Sequence, residues 1–425
     1  MGKEVRLIKV DGDANNNKYY NMVENGDGTF TATYGRVGAA KPQTDTKPMS
    51  KWDATYREKT SIKKGYVDQT DLFIDESVTI DVDASTGTKK KSVFKDFLSS
   101  RSAAVVQMVR DLQGWAKGSV ERNYTVSSEA VTQKQVDKAQ ETLDQIVGFQ
   151  LDANNIAEFN KLLQTFYSIV PRKMKHVKTH LVDPDSDLTE RKNEIITEEQ
   201  TTLDVMAGQV KLNADMKDSD VEEDQEEVET DILKSSGLDV IEVTDDAVIN
   251  KIKGLMADNS RKFRKAFEVV NTKTQSAYEG QIKKAKNQKE ELFWHGSRNE
   301  NWWSILTTGL LIRPSNAVYS GSMFGDGIYF ADKFQKSFGY TSGRGSYWAG
   351  GNANTAILAL YNVHVGEQKI IKRHDSSCYK LCHSILAKEN CDSVFAQGGI
   401  DLRNNEYIVY QSQQNTVKYL VVVEA

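Results

Sequence analysis

The stretch "LFWHGSRNENWW" (residues 292–303) runs an apolar segment straight into His295, Gly296 and Ser297. Gly296 has no side chain, so a ligand can approach its backbone N–H and C=O closely. A carboxamide, with one acceptor and two donors, suits such a site. Taken alone, a satisfied histidine and a turn account for this stretch. Three pieces downstream change the reading: Tyr329 in "GIYFAD", Ser337 and Tyr340 in "KSFGY", and Glu406 in "NNEYIVY". Two tyrosines can sandwich a flat ring, a hydroxyl can bind its amide, and a carboxylate can stabilise a developing sugar cation. Together these groups suit cleavage of the nicotinamide–ribose bond of NAD.

Gly325-Asp326-Gly327 raises a competing idea, a Rossmann dinucleotide turn. That fingerprint needs a third glycine three residues after the second, followed by a helix. Phe330 occupies the position, and Ile328–Phe330 reads as a strand. The Rossmann reading fails, and Tyr329 with its strand takes the place of the glycine turn.

The elements that must hold these residues come in blocks. A chain of 425 residues implies about two to four domains. Residues 1–75 show short β-rich runs between Asn-Gly and Asp-Gly turns, the pattern of a small antiparallel sheet. Residues 76–93 are polar and read as a linker. Residues 94–213 read as a helical bundle. Val136, Ala139, Leu143 and Ile146 recur at helical spacing, as do Ile156, Phe159, Leu162, Leu163, Phe166, Tyr167 and Val170 before Pro171. Thr132 with Gln135, and Asn155 with Glu158, fit N-terminal caps. An acidic linker follows at 214–235, where residues 214–231 hold ten acids against one lysine, a composition that stays solvated. From 236 to 425 the pattern is mixed. Residues 246–269 look helical, then strands dominate at 292–294, 328–330, 356–365, 406–410 and 417–423. The last two suggest a hairpin. The fold class is α+β multidomain: a small antiparallel β domain, an all-α bundle, and a mixed α+β domain built on antiparallel sheets.

Composition narrows the partners. The net charge of −5 argues against a surface coated for non-specific nucleic-acid binding, so any DNA contact belongs to one domain. No run of about 18 apolar residues spans a membrane, and the first residues open no signal peptide; an intracellular protein is expected. Cys378, Cys382 and Cys391, near His374 and His383, have a spacing not well attested for zinc and read as ordinary thiols. No metal is expected.

"WHGSR" (294–298), "MFGDGIYFAD" (323–332), "KSFGY" (336–340) and "NNEYIVY" (404–410), in this order, resemble the catalytic domain of the poly(ADP-ribose) polymerases. The resemblance implies a His-Tyr-Glu set of His295, Tyr329 and Glu406, and NAD consumed as substrate with no resident cofactor. It implies that His295 holds ribose hydroxyls and orients NAD, and that Gly296 and Ser337 hold the carboxamide. Tyr340 would stack on nicotinamide and Tyr329 flank it. Glu406 would bond the ribose 2′-hydroxyl and support oxocarbenium character at C1′, with Lys336 close to it. Ser297, Asn301, Ala331 and Arg313 complete the expected NAD-contacting set. "GLLIRPSN" (309–316) departs from the family in having Leu311 where an adenosine-side Arg is frequent, with Arg313 two places on.

"FYSIVPRKM" (166–174) is similar to the regulatory helical domain that precedes this catalytic domain. "NKYYNM", "YGRVG" and "KWDATYREKTSIKKGYVD" are similar to the WGR module, which binds broken DNA ends; Tyr34 stands where the module has Trp. Tyr34, Arg36, Lys51, Lys59, Lys63 and Lys64 are the candidate DNA contacts. The resemblance implies a monomeric, DNA-break-stimulated polymerase that modifies protein acceptors, itself included. It would sit in the nucleus of a eukaryote, or in the cytoplasm and nucleoid of a bacterium. A mono-ADP-ribosyltransferase, or a catalytically silent DNA-end-binding scaffold, is the alternative.

Overall fold

In the computed structural model, residues 2–73, 101–124, 131–217, 231–312, 323–342 and 354–425 are described. The expected linker at 76–93, most of the acidic run, and Arg313 lie outside them. The chain divides into two compact units, Met1–Phe94 with Gly118–Val210, and Lys95–Lys117 with Lys211–Ala425. Among the described residues no helix is long and apolar enough to cross a membrane.

The first unit opens with a five-stranded antiparallel sheet of β1 (Glu4–Asp11), β2 (Asn16–Glu24), β3 (Thr29–Arg36), β4 (Gln43–Pro48) and β5 (Val67–Asp68), in the order β4-β3-β2-β1-β5. Alternation along the strands sends Leu7, Tyr20, Met22, Phe30 and Ala32 into one core, closed by Trp52 of the helix Trp52–Thr60. The chain then supplies the helices Gln133–Gly148 and Ile156–Ile169. Val136, Ala139, Leu143 and Ile146 are buried, and so are Phe159, Leu163, Phe166 and Tyr167. Thr132 caps its helix by accepting from the Gln135 N–H at 3.1 Å. The expected cap at Asn155 is not made. Its amide donates to the Gln150 carbonyl and accepts from the Asp152 N–H, closing the preceding turn instead.

The second unit is built on two sheets. The larger contains β6 (Leu238–Glu242), β7 (Phe263–Asn271), β8 (Glu290–Gly296), β10 (Thr355–His364) and β14 (Asn415–Glu424), in the order β6-β7-β14-β10-β8, all antiparallel. The smaller contains β9 (Ile328–Phe330), β11 (Gln368–Ile371), β12 (Ser393–Ala396) and β13 (Glu406–Val409), in the order β11-β12-β13-β9, with only β11 and β12 parallel. Two readings of the sequence are corrected here. The helix starting at Asp246 stops at Met256, and a 3-10 turn leads into strand β7, where burial alternates along Phe267 to Asn271. The expected terminal hairpin does not form. Both edges of β13 are taken by β12 and β9, and both edges of β14 by β10 and β7, so the chain crosses between sheets through Ser412–Gln414.

One link between the sheets positions everything that follows. Trp294 of β8 and Ala331, just after β9, exchange backbone hydrogen bonds of 2.8 and 3.0 Å. Trp294, Phe334 and Phe338 share a core with Ile252, Met256, Leu358 and Val421. Each such ring contributes about 1.5–3 kcal/mol through burial. Phe334 and Phe338, four residues apart in the short helix Phe334–Phe338, lie on its buried face and leave Lys336 and Ser337 to be aimed elsewhere.

Candidate active site

His295 lies near the end of β8, paired with Ala359 of β10. Its Nδ1 is 3.1 Å from the Tyr329 carbonyl oxygen. An acceptor there makes Nδ1 the protonated nitrogen and leaves Nε2 as an acceptor. Burial pushes the imidazole pKa down, which favours that neutral form.

Gly296, the next residue, faces the backbone of Ser337. A Cβ at Gly296 would overlap the Ser337 carbonyl, so only glycine fits. The sequence reading took the glycine as room for a ligand; the chain itself already occupies the Cβ direction. Ser337 is 4 % exposed. Its carbonyl accepts from the Tyr340 N–H at 3.1 Å, turning Tyr340 outward with 58 % of its surface exposed. Ser297 accepts from the Asn301 amide at 3.1 Å, while Asn301 Oδ1 is buried with no partner among the described residues. Ala331 serves through its backbone link to Trp294.

The glycine pair that opened the Rossmann question has a packing role. Gly325 has φ +74°, and a Cβ there would overlap the Leu381 carbonyl. A Cβ on Gly327 would press on Ile408 and approach the Val409 carbonyl to 2.9 Å. The turn therefore lies flat beside β13 and delivers Tyr329. The Tyr329 hydroxyl donates to the Gly325 carbonyl at 2.8 Å and accepts from the Phe324 N–H at 3.0 Å.

Glu406 heads β13, whose register sets Tyr407 opposite Phe330 and Ile408 opposite Tyr329. Lys336 donates to Glu406 Oε1 and, at 3.3 Å, to the Asn405 carbonyl. The two side chains are only 15 % and 12 % exposed. Glu406 Oε2 is buried with no partner among the described residues. Burial first, and then the Glu406 charge, push up the phenol pKa of Tyr329. His295, Tyr329, Lys336, Tyr340 and Glu406 thus form one neighbourhood. Leu311 is exposed and Arg313 falls outside the described residues. Asp332 and Asn405, missed in the sequence, join this neighbourhood; their only signal was adjacency to the motifs.

The candidate DNA contacts are differently placed. Tyr34 stacks on Tyr20 with centroids 5.2 Å apart. Lys59 lies 4.4 Å over the Tyr20 ring, and Lys64 pairs with Glu58 at 3.5 Å. Lys51 and Lys63 are exposed. Arg36, read as a phosphate partner, donates to the carbonyls of Asn15, Met174 and Lys175. Its guanidinium binds its own chain.

The site combines a neutral imidazole, a tyrosine pair and a buried carboxylate with one oxygen unpartnered among the described residues, an arrangement fitted to glycosyl transfer from a nucleotide. Residues 249–425 match the Poly(ADP-ribose) polymerase catalytic domain, and residues 3–71 match the WGR domain. The chain is 33% identical over 176 residues to the poly [ADP-ribose] polymerase-like protein 100L of Invertebrate iridescent virus 6, covering 41% of this chain and 92% of that one. It is 25% identical over 441 residues to Poly [ADP-ribose] polymerase 1 of Gallus gallus, covering 92% of this chain and 41% of the relative. With Poly [ADP-ribose] polymerase 2 of Homo sapiens it shares 34% over 158 residues, or 31% of this chain and 26% of the relative. The chain belongs to the poly(ADP-ribose) polymerase family, and its enzyme class is NAD+ ADP-ribosyltransferase.

Proposed function

We propose that this protein is a DNA-break-stimulated poly(ADP-ribose) polymerase, which moves ADP-ribose from NAD to protein acceptors, itself included, and extends the chain with release of nicotinamide. NAD is substrate and no resident cofactor takes part. The observation that carries the reading is the Glu406 carboxylate. Lys336 fixes one oxygen, and the other is buried without a partner among the described residues. A preorganised acceptor of this kind suits the NAD ribose 2′-hydroxyl. As nicotinamide leaves, positive charge grows at C1′, and a fixed carboxylate stabilises that charge more than the ground state. The same group accepts a proton from the attacking hydroxyl of a growing chain. His295 Nε2, free to accept, orients the ribose, and Tyr340 and Tyr329 flank the leaving ring. DNA stimulation rests on the WGR match and on the exposed Lys51 and Lys63. Residues 94–213 would restrain the catalytic domain until DNA binds, and the protein would act inside the cell, where NAD and broken DNA meet.

The test is NAD consumption with and without nicked DNA carrying a 5′-phosphate, with products run on a gel. DNA-dependent consumption with a high-mass smear is expected. Single-unit products would make it a mono-ADP-ribosyltransferase, and no consumption would make it a silent scaffold.

A further inference from the structure

We infer that Asp332 is a positioning residue for Glu406, acting through the side chains on either side of it. The inference rests on the reading of Glu406 given above. Electrostatic catalysis of this kind needs the carboxylate held to a fraction of an ångström; Lys336 holds the carboxylate end and Ala396 of β12 pairs with the Glu406 backbone, while the pairing of β13 with β9 begins only at Tyr407.

Asp332 supplies a further grip. Its Oδ2 accepts from the Asn405 amide at 2.7 Å and lies 3.5 Å from the Tyr407 hydroxyl, so the two neighbours of Glu406 converge on one oxygen. Alternation along β13 puts Tyr407 on the face opposite Glu406, and Asn405, just before the strand, reaches the same Asp332 oxygen as Tyr407 does. Asp332 therefore works from behind the strand and away from the transferred group. Each neighbour is also held from its far side. Asn405 Oδ1 accepts from the Gly398 N–H at 2.9 Å. Tyr407 is sandwiched between Phe293 and Phe395, at centroid separations of 4.0 and 5.0 Å. Asp332 has its own anchor, since Ala331 before it is bonded in both directions to Trp294, the residue preceding His295. One connected set of bonds thus ties the histidine strand to the glutamate strand. Asp332 Oδ1 is buried without a partner among the described residues, an energetic cost that packing stability alone gives no reason to retain.

The experiment uses the full chain with NAD and nicked DNA, and nicotinamide binding as the check that the pocket is intact. Asp332→Ala and Asn405→Ala are each expected to lower kcat by about ten- to hundredfold, with KM for NAD within about twofold of the parent. Asp332→Asn, which keeps the shape and one acceptor oxygen, is expected to recover most of the rate. The double variant Asp332→Ala/Asn405→Ala should be no slower than either single one, because both break the same connection. If Asp332→Ala does not fold, Asn405→Ala decides alone. Parent-like kcat in a variant that binds nicotinamide, losses that add in the double variant, or a loss carried by KM would each overturn the inference. Parent protein that consumes no NAD would instead overturn the proposed function, and this inference with it.

Discussion

Lys336 engages one oxygen of Glu406 and leaves the other buried and unpartnered among the described residues. The carboxylate is therefore oriented before any substrate arrives. Glu406→Gln keeps the size of the side chain but removes the charge that, on the mechanism proposed above, meets the growing cation at C1′. NAD turnover is expected to fall by about a hundredfold or more, the scale seen when one preorganised group is lost. Nicotinamide binding should persist, and residual product should be short or single units. Long polymer made at parent rates would show that the glutamate has another role.

Gly296 and Ser337 meet backbone to backbone. Any side chain at 296 overlaps the Ser337 carbonyl, so Gly296→Ala must push the helix Phe334–Phe338 away from β8. Overpacking of this kind costs about 1–3 kcal/mol. Because Lys336 rides on the displaced helix, activity should fall further than stability alone predicts. Thermal unfolding together with NAD turnover checks this. A folded Gly296→Ala variant with parent-like kcat would show that the helix yields without disturbing Lys336.

The legible part of this protein was local. Ile328–Phe330 reads as a strand from three residues, and the motifs carrying His295, Tyr329 and Glu406 each lie in a short segment rich in aromatic and β-branched residues next to turn signals, which favours a strand. Pairing is not local. Two apolar strands separated by a short polar stretch, at 406–410 and 417–423, look like a hairpin until the other strands compete for their edges, and here β12, β9, β10 and β7 win them. The link from Asp332 to Asn405 depends on that same pairing, so no spacing rule reveals it. Arg36 shows a different limit. A basic residue in a WGR-like stretch reads as a phosphate partner, and only the fold brings the carbonyls of Met174 and Lys175 to it.

That placement makes Arg36 a joint between β3 and residues 174–175 within one compact unit. Arg36→Ala removes a charged donor from the half-buried carbonyls of Asn15 and Met174 and from the exposed one of Lys175, with an expected cost of about 2 kcal/mol. Differential scanning calorimetry should show the melting temperature falling by several degrees. Lys63→Ala, at an exposed position, should stay within about 0.5 kcal/mol of the parent. Affinity for nicked DNA should respond in the opposite order, with Lys51→Ala and Lys63→Ala weakening it more than Arg36→Ala. A larger DNA effect at Arg36 would mean that the guanidinium exchanges its carbonyls for phosphate.

The same unit carries a pH sensitivity at His180. Burial, with the positive charges of Arg172 and Arg191, lowers its pKa from 6.5 to about 4, against an opposing pull from Glu198. Its ring stands edge-on to Tyr167 at 6.2 Å, and its backbone carbonyl accepts from the Tyr167 hydroxyl at 3.0 Å. The sign follows from proton binding. Well above pH 7 the ring is neutral in both the folded and unfolded chain, so it contributes no pH dependence. As pH falls from 6.5 toward 4 the unfolded chain takes up the proton first, and folded stability declines over that window. At pH 5 the loss is about 1 kcal/mol, discounted for the partial exposure of the ring. His180→Gln removes the titration and keeps a polar side chain of similar length. Its melting temperature should drop less than the parent's between pH 7 and pH 5, by about 2–4 °C, and the two curves should run parallel above pH 7. Parallel curves across the whole range would show that His180 is protonated as readily in the folded chain as in the unfolded one.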